Sequence, residues 1–420
     1  MKRKKVFVAM SGGVDSSVAA ALLKNLPAGR QGRAFDVVGI YMKCWSEGEY
    51  CTSAKDAEDA RLVAEKLNIP FYVFDFTREY REKVFEYMVR EYAAGRTPNP
   101  DVFCNSEIKF GIFLEKCLAL GADYIATGHY VRSGASQCSI AQTGSSPLQL
   151  RRLPALSAKI QPLTLTAYKE GAEPSIFACE SFSQRKHRFA SAQSLGWSYH
   201  LLEAKDRNKD QSYFLWRLNQ EQLKHVLFPI GDYLKSEVRE MAREFGLPTA
   251  EKKDSQGLCF VGNVSFDNFL RDFIPKNSGP IMTASGKKIG DHDGLSFYTI
   301  GQRHGIGIGG GTPYYVAAKE PATNTLIVSE GNIDPALYKK EIEISDLNWI
   351  NPFQGLPLES LECEARIRYR QPLQKCRIQL GNPVSKLRVV FDEPQRAVTP
   401  GQSAVFYKDE EMLGGGIIVK

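Results

Sequence analysis

The segment that most constrains the fold of this chain is AMSGGVDSS, residues 9–17. It directly follows the apolar residues 6–8, so we predict that a buried strand ends in a glycine turn and that a helix begins at Asp15. Such a turn exposes successive backbone N–H groups, and the N-terminus of the helix adds the positive end of its dipole. The segment therefore predicts an anion-binding loop, with an ordinary strand-to-helix glycine turn as the alternative.

The loop differs from a Walker A sequence, because no Gly-Lys-Ser or Gly-Lys-Thr follows the glycines. The lysine of a Walker A loop reaches the β- and γ-phosphates of the nucleotide. A loop without that lysine fits a pyrophosphate that departs whole better than a γ-phosphate that passes to an acceptor. The segment thus predicts that a nucleoside triphosphate is cleaved to pyrophosphate.

Strand-like and helix-like segments alternate through the first part of the chain. In chain order, these segments are residues 6–10, 16–26, 35–41, 54–67, 71–74, 81–94, 107–120 and 124–127. This alternation is typical of an α/β fold with a doubly wound parallel sheet, in which ligands bind at the carboxyl ends of the strands. Because the glycine loop follows the first strand, it lies at such an end. Residues 1–218 are therefore predicted to form a Rossmann-like nucleotide-binding domain.

Three other regions have a different character. Residues 133–200 are rich in Ser, Ala, Gln and Pro and lack a sustained period, which predicts a loosely ordered surface insertion. Residues 219–285 are predicted to form a small, mostly helical central domain. Residues 286–420 are predicted to form a C-terminal β-barrel. Its strand-like runs are residues 287–289, 314–318, 325–328, 361–368, 375–380, 387–391, 403–407 and 416–419.

Composition narrows the class of protein. Lys and Arg number 54 against 48 for Asp and Glu, a mild excess that is compatible with a polyanionic partner. No stretch approaches the length that spans a bilayer, so we expect no membrane partner. The nine cysteines are scattered and odd in number, which favours reduced thiols in the cytoplasm over a disulfide scaffold.

Two cysteines in loop-like surroundings carry the second chemical signal. Cys104 ends the proline-stiffened segment GRTPNPDVFC, which also holds Asp101. A thiol near a helix N-terminus can become a nucleophile, whereas a buried, inert cysteine is the equally favoured alternative. Cys259 lies in the polar segment DSQGLCFVG, and the two thiols could meet at one cleft. Neither belongs to a Cys-x-x-Cys pair, so no zinc site and no thioredoxin-like site is predicted.

Eight segments resemble, in the same order, motifs of the tRNA-specific 2-thiouridylases, a family of PP-loop ATP pyrophosphatases with an adenine nucleotide alpha hydrolase-like fold. They are SGGVDSS, MKCW, GRTPNPDVFCN, ATGHY, KDQSYFLW, DSQGLCFVG, YTIGQRHGIGIGG and TPGQSAVFY. The resemblance covers almost the whole chain, except about residues 27–33 and 133–200. In that family, ATP adenylates the C2 oxygen of the wobble uridine of a tRNA. Sulfur then replaces this oxygen, which yields 2-thiouridine, AMP and pyrophosphate.

The resemblance also implies roles for individual residues. Cys259 would carry the incoming persulfide, and Asp101 would shuttle a proton. Cys104 would either release sulfide from the persulfide or close a disulfide after sulfur transfer. ATP would be bound by Ala9, Met10, Ser11, Gly12, Gly13, Val14, Asp15, Ser16, Met42 and Gly128. The tRNA would be contacted by Asn99, Pro100, Asp101, His129, Lys209, Asp210, Gln211, Arg368, Tyr369 and Gln402.

The family's chemistry implies further reactants. Mg²⁺ is expected to accompany ATP, and a sulfur-relay protein or a cysteine desulfurase is expected to donate the persulfide. Two alternative functions stay open. One is a PP-loop ATP pyrophosphatase that activates a small molecule, for which the two loop cysteines have no purpose. The other is a tRNA-binding protein with an inactive loop, which would not be expected to keep Asp101, Cys104 and Cys259 together with an intact SGGVDSS.

Overall fold

The protein is described by a computed structural model over residues 3–25, 35–45, 52–137, 197–253, 270–309, 311–351, 360–380 and 386–420. Its fold is α/β, with an N-terminal parallel sheet, a mostly helical central region and a C-terminal closed six-strand β-barrel. This confirms the fold class that the alternation of segments predicts.

The helices and strands have the following bounds. The α-helices are α1 (Val14–Asn25), α2 (Ser53–Lys66), α3 (Thr77–Tyr80), α4 (Glu86–Ala93), α5 (Pro100–Phe103), α6 (Phe113–Ala119), α7 (Gln220–Leu223) and α8 (Lys235–Glu244). The strands are β1 (Lys5–Ala9), β2 (Asp36–Lys43), β3 (Phe71–Asp75), β4 (Tyr124–Thr127), β5 (Arg132–Gln137), β6 (Trp197–Leu202), β7 (Val226–Leu227), β8 (Gly279–Thr283), β9 (Lys288–His292), β10 (Tyr314–Glu320), β11 (Thr325–Glu330), β12 (Tyr338–Trp349), β13 (Leu361–Arg366), β14 (Gln374–Leu380), β15 (Leu387–Arg396), β16 (Ser403–Lys408) and β17 (Glu411–Ile418). Across the described ranges, no helix is long and apolar enough to cross a membrane.

The N-terminal sheet has the strand order β3-β2-β1-β4-β7, and all its pairings are parallel. Parallel strands that are covered on both faces read as continuous apolar runs, and residues 6–9 of β1 are at most 7% exposed. The central position of β1 brings its carboxyl end between those of β2 and β4. The loops that follow these three strands therefore share one edge of the sheet.

The barrel closes because β12 pairs with both β15 and β17, which gives the cyclic order β12-β15-β14-β13-β16-β17. Five of these strands overlap predicted strand-like runs, whereas β12 was not predicted. The sequence of β12, YKKEIEISDLNW, has charged residues interrupting its apolar ones, and only Ile342 and Ile344 among them are deeply buried. One face of this strand is therefore solvated, as it is in β13, LECEAR.

The predicted insertion at residues 133–200 is wrong at both of its ends. Strands β5 and β6 lie there and pair with each other, and β6 extends the barrel sheet by pairing with β17. Residues 138–196 between them, with the basic cluster at 185–188, lie outside the described residues, as does the shorter predicted insertion at 27–33. Strands β8 to β11 form a separate four-stranded sheet, in the order β10-β11-β8-β9.

Candidate active site

The glycine loop is held in shape by hydrogen bonds to the first turn of α1. The Ser11 N–H donates to Ser16 Oγ at 3.1 Å, and Ser16 Oγ donates to the Gly13 carbonyl at 3.1 Å. Ser17 Oγ donates to the same carbonyl at 2.7 Å. Met10 is buried below the loop, and its N–H continues the sheet by donating to the Ile40 carbonyl at 2.8 Å. The strand, turn and helix therefore follow one another as the sequence predicts.

Two glycines are required at this site because backbone approaches them closely. Gly12 has φ of +71°, and a Cβ there would lie 2.2 Å from the Asp56 carbonyl oxygen of α2. Gly128, which directly follows β4, has no room for a Cβ either, because the Ser16 nitrogen would lie 2.6 Å away. A side chain at Gly12 or at Gly128 would therefore displace the loop or the first turn of α1.

Met42 lies near the carboxyl end of β2 and is 5% exposed. Its partner on the neighbouring strand β3 is Phe74. The glycine loop, Met42 and Gly128 thus follow or end three neighbouring parallel strands. This is the edge at which open α/β sheets bind their ligands. The arrangement can hold a nucleotide with its phosphates at the N-terminus of α1.

The carboxylate of Asp15, in the first turn of α1, has two partners from distant parts of the chain. Its Oδ1 accepts the Tyr130 hydroxyl at 2.9 Å and Lys235 Nζ at 2.6 Å. Gln211 in turn fixes Tyr130, since its N–H donates to the Tyr130 carbonyl at 2.9 Å and its Oε1 accepts the Tyr130 N–H at 2.9 Å. Gln211 therefore supports the loop through Tyr130.

A second lysine, Lys252, contacts the loop from the opposite side. Its Nζ donates to the Gly12 carbonyl at 3.0 Å and to the carboxylates of Asp56 and Asp59 at 2.7 and 2.6 Å. Neither Lys235 nor Lys252 was predicted as a site residue. They are more than 200 residues away from the loop in sequence, and no local pattern marks either of them.

The helix after the proline-rich segment begins at Pro100, seven residues before the predicted start. Asn99 caps this helix by accepting the Val102 N–H at 3.4 Å, and Pro100 occupies its first turn. The chain continues as a π-helical stretch, Cys104–Ile112, which is kinked at Gly111 before α6 begins. Cys104 therefore lies inside the helix and not before it, and its free thiol is only 1% exposed. Asp101, one turn earlier, is partly exposed.

The segment before this helix is held by the barrel. Gln402 Nε2 donates to the carbonyls of Thr97 and Pro98 at 3.0 and 3.1 Å, and the Thr97 N–H donates to the Pro400 carbonyl at 3.0 Å. Lys319 of β10 donates to the Gly95 carbonyl at 3.1 Å. The segment that contains Asn99 and Asp101 is therefore positioned by residues more than 200 positions later.

Arg368 and Tyr369 lie beside that contact. Arg368 Nη2 donates to the carbonyls of Ile300 and Ala397 at 2.7 and 2.9 Å and to Thr399 Oγ1 at 3.1 Å. Burial, together with nearby Arg396, lowers the pKa of Arg368 from its ordinary value. The Tyr369 ring is partly exposed, with its centroid 4.5 Å from that of Phe214. Both Arg368 and Gln402 thus already hydrogen-bond within the protein, and their predicted contacts with tRNA stay predictions.

Asp210 is 2% exposed and anchors a buried polar network. Its Oδ2 accepts Ser212 Oγ at 2.8 Å and Arg366 Nη1 at 3.1 Å, and its Oδ1 accepts the Ala204 N–H at 2.9 Å. Arg366 also pairs with the buried Glu203. This geometry gives Asp210 a structural role, and its predicted contact with tRNA also stays a prediction.

His129 and Lys209 differ in their surroundings. His129 is 7% exposed, its Nδ1 lies 2.8 Å from Thr127 Oγ1, and its ring centroid lies 5.7 Å from that of Phe110. Burial, with a smaller effect of Lys109, holds the pKa of His129 well below its ordinary value, so its imidazole is neutral at pH 7. Lys209 is half-buried. Cys259 lies outside the described residues, so its predicted meeting with Cys104 stays a prediction.

Comparisons with known proteins agree with these motifs. A family model described as "tRNA methyl transferase HUP domain" matches residues 4–150 and 164–263. The models "tRNA methyl transferase PRC-barrel domain" and "Aminomethyltransferase beta-barrel domain" match residues 267–330 and 339–418. A tRNA-specific 2-thiouridylase MnmA from Francisella philomiragia subsp. philomiragia is 42% identical over 427 residues, which cover 100% of both chains. The chain belongs to the tRNA-specific 2-thiouridylase family.

A second curated relative is similar over a comparable length, and a solved structure over a shorter part of the chain. The tRNA-specific 2-thiouridylase MnmA of Acinetobacter baumannii is 42% identical over 425 residues, which cover 99% of this chain and 97% of that protein. A solved structure, U34-tRNA thiolase NcsA from Methanococcus maripaludis, covers 30% of this chain and 38% of its own at 25% identity, with a TM-score of 0.23.

Membership of the 2-thiouridylase family also corrects the extent of the insertion. Within its span, the first family model leaves out only residues 151–163, whereas we expected about residues 133–200 to fall outside the resemblance. The residues at both ends of that stretch therefore belong to the family's own length, in agreement with the pairing of β5 and β6.

Proposed function

We propose that this member of the 2-thiouridylase family is itself an ATP-dependent tRNA 2-thiouridylase. It would adenylate the C2 oxygen of the wobble uridine and replace that oxygen with sulfur from a persulfide, which yields 2-thiouridine, AMP and pyrophosphate. The observation that carries the proposal is the glycine loop at the carboxyl end of β1. The loop lacks a Walker lysine and lies beside Met42 and Gly128 at the edge where α/β sheets bind nucleotides.

The loop would supply the activation half of the reaction. A uridine carbonyl oxygen is a poor leaving group, and transfer of AMP to it makes it a good one. Backbone N–H groups that are already oriented stabilise the negative charge of the departing pyrophosphate, because they need no reorganisation during the reaction. Mg²⁺ in such sites is held by one or two carboxylates and by substrate phosphates, and Asp15 is the carboxylate of the loop. The ion would supply Lewis-acid stabilisation of phosphate charge.

The tRNA would be bound between the N-terminal sheet and the barrel. The C2 oxygen lies on the pairing edge of uridine, so the base must leave its stack to reach a pocket. Asn99, Pro100 and Asp101 would meet the base, and Asp101 is partly exposed as a proton shuttle requires. The neutral imidazole of His129 can donate one hydrogen bond and accept another. Lys209, Gln211 and the barrel residues Arg368, Tyr369 and Gln402 would complete the contact.

The two cysteines would supply the sulfur half. Cys259 would carry the persulfide, and its outer sulfur forms the new C2–S bond as AMP leaves. In one route, the Cys104 thiolate attacks the inner sulfur of Cys259 and releases hydrosulfide, which attacks C2. In the other, the persulfide attacks C2 directly and Cys104 then closes the disulfide, releasing the thiolated base. Either route leaves a disulfide that an external thiol reductant must reduce. Because Cys104 is 1% exposed, both routes require its covering groups to move.

The sulfur donor would be a sulfur-relay protein or a cysteine desulfurase. We place the reaction in the cytoplasm, where tRNA is available and thiols are kept reduced. The unbridged thiols of Cys104, Cys117, Cys363 and Cys376, in the described ranges, are consistent with such a compartment.

The proposal is tested by incubating the protein with unmodified tRNA, ATP and a persulfide donor. Nucleosides from the tRNA are then analysed by mass spectrometry while pyrophosphate release is measured. We expect an oxygen-to-sulfur exchange at the wobble uridine and pyrophosphate release that depends on tRNA. The mass gain of a methyl group would support the methyl transfer named in the family-model descriptions. Pyrophosphate release without tRNA would favour small-molecule activation, and tRNA binding without pyrophosphate release would favour an inactive homologue.

A further inference from the structure

Residues 249–252, which follow α8, lie against the glycine loop and the helices on either side of it. Thr249 Oγ1 donates to Ser17 Oγ of α1 at 3.0 Å. Arg239 of α8 fixes the backbone of the segment by donating to the carbonyls of Ala250 and Lys252, each at 3.2 Å. Thr249 thus attaches the start of the segment to α1, and Arg239 holds the backbone at Lys252, whose side chain contacts the loop.

Lys252 fixes the orientation of the peptide between Gly12 and Gly13. Its Nζ binds the Gly12 carbonyl at 3.0 Å, on the side of the loop that faces α2. A trans peptide is planar, with its carbonyl and its N–H pointing in opposite directions. Holding the Gly12 carbonyl toward Lys252 therefore turns the Gly13 N–H away from α2. N–H groups with a fixed direction are what an anion-binding loop offers its ligand.

Lys252 also offsets part of the negative charge of an acidic pair next to the loop. Asp56 and Asp59 lie three residues apart in α2, and their carboxylates are 2.7 and 2.6 Å from Lys252 Nζ. All three side chains are only 23–28% exposed, so solvent screens these charges incompletely. Burial lowers the pKa of Lys252, but the two carboxylates outweigh it and raise the pKa above its ordinary value. Without the ammonium group, two negative charges would lie beside a site for a triphosphate.

We propose that Lys252 is a positioning residue for ATP, which holds the Gly12–Gly13 peptide in its binding orientation and offsets part of the negative charge of Asp56 and Asp59. The inference rests on the proposed function, because it assumes that the loop binds the phosphates of ATP. Lys252 would act through the loop and would not itself contact the reacting atoms. Lys252 lies outside the sequence motif that contains the loop, residues 9–17.

The test is equilibrium binding of ATP to the full chain, with thermal unfolding and tRNA binding measured in parallel. We expect Lys252→Ala to weaken ATP binding about tenfold, which corresponds to about 1.4 kcal/mol. Affinity for tRNA should not change. Lys252→Arg should recover most of the ATP affinity, because it restores both the charge and a donor. Lys253→Ala, a matched change at the exposed neighbouring lysine, should bind ATP as the wild type does.

A second comparison separates the two effects of Lys252. In the triple variant Lys252→Ala, Asp56→Asn, Asp59→Asn, the repulsion is gone but the Gly12 contact is still missing, so ATP affinity should recover only in part. Full recovery would overturn the role in orienting the peptide. If Lys252→Ala does not fold, Lys252→Met preserves most of the volume and takes its place.

The remaining outcomes distinguish this inference from the proposed function. Wild-type protein that does not bind ATP would contradict the proposed function and the inference with it. Wild-type binding that Lys252→Ala leaves unchanged would contradict the inference alone. Loss of ATP and tRNA affinity together with a lower Tm, without recovery by Lys252→Arg, would show a purely structural lysine.

Discussion

Replacing Gly128 by alanine tests the packing of β4 against the nucleotide loop. A Cβ at this position would lie 2.6 Å from the Ser16 nitrogen, 2.8 Å from the Asp15 carbonyl carbon and 2.9 Å from the Ser16 Cα. All three are backbone atoms in the first turn of α1, so no flexible side chain can move aside. The first turn and the end of β4 must therefore separate.

The size of the effect follows from that separation. Ordinary contacts of a Cβ begin at 3.4 Å, so the closest pair must move apart by about 0.8 Å. Overpacking of this kind costs about 1–3 kcal/mol. If the loop moves while the fold is kept, that cost appears in ATP binding as about a 5- to 150-fold loss of affinity. A displacement near 1 Å at a reacting site is also enough to slow chemistry about 100-fold.

The assay is equilibrium binding of ATP to Gly128→Ala, with Tm measured on the same samples. Gly134→Ala is the matched control, because Gly134 lies in β5 and a Cβ there meets nothing within 4 Å. We expect Gly128→Ala to lose ATP affinity and Gly134→Ala to keep it. The reasoning is refuted if Gly128→Ala changes neither quantity. A lower Tm with unchanged ATP affinity would refute the claim that the loop is the part that moves.

Three further predictions concern the sulfur carrier and two buried charges. Cys259→Ala should abolish thiolation of tRNA and leave tRNA-dependent pyrophosphate release intact; thiolation that persists in the mass analysis would contradict its role. Lys319 is largely buried, and this lowers its pKa from 10.5 to about 8. Between these two pH values, the unfolded chain therefore binds more protons at Lys319 than the folded chain does. The free energy of unfolding, measured with urea, should rise from pH 8 to 10.5, and Lys319→Met should lack this rise. Arg366→Met leaves the buried Asp210 without its cation and leaves Glu203 with only the half-exposed Arg207, so urea unfolding should show a loss of about 3–5 kcal/mol. A loss below about 1 kcal/mol, the range of exposed pairs, would contradict the buried network.

Much of the N-terminal sheet and its loop could be predicted because their signals are local. A short apolar strand, the glycine turn and the serines that cap it all lie within residues 6–17, so the backbone chemistry of one turn is enough to indicate an anion site. Barrel strands with apolar runs were predicted in the same way. Strand β12 was not predicted, and neither was the closure of the barrel, because closure depends on the pairing of β12 with the distant strands β15 and β17.

Burial could not be predicted from motifs. Gln402, Arg368 and Asp210 stand in segments that resemble the family's motifs, yet the structure engages all three within the protein. The helix that contains Cys104 begins earlier than its periodicity predicted, because Asn99 and Pro100 supply a cap and a first turn. Exposure and partners depend on neighbours that are distant in sequence.

By itself, the sequence determined the alternation of strands and helices in the N-terminal sheet, the nucleotide loop and the family, since each depends on adjacent residues or on motifs of fixed order. Only the tertiary structure decided what surrounds the loop. Lys235 and Lys252 reach it from more than 200 residues away, and the close approach of Gly128 depends on the parallel pairing of β1 with β4. Local periodicity records which face of an element is buried, but it does not record which distant side chain packs there. The loop can therefore be predicted from the sequence, whereas the charged side chains that surround it are set by the fold.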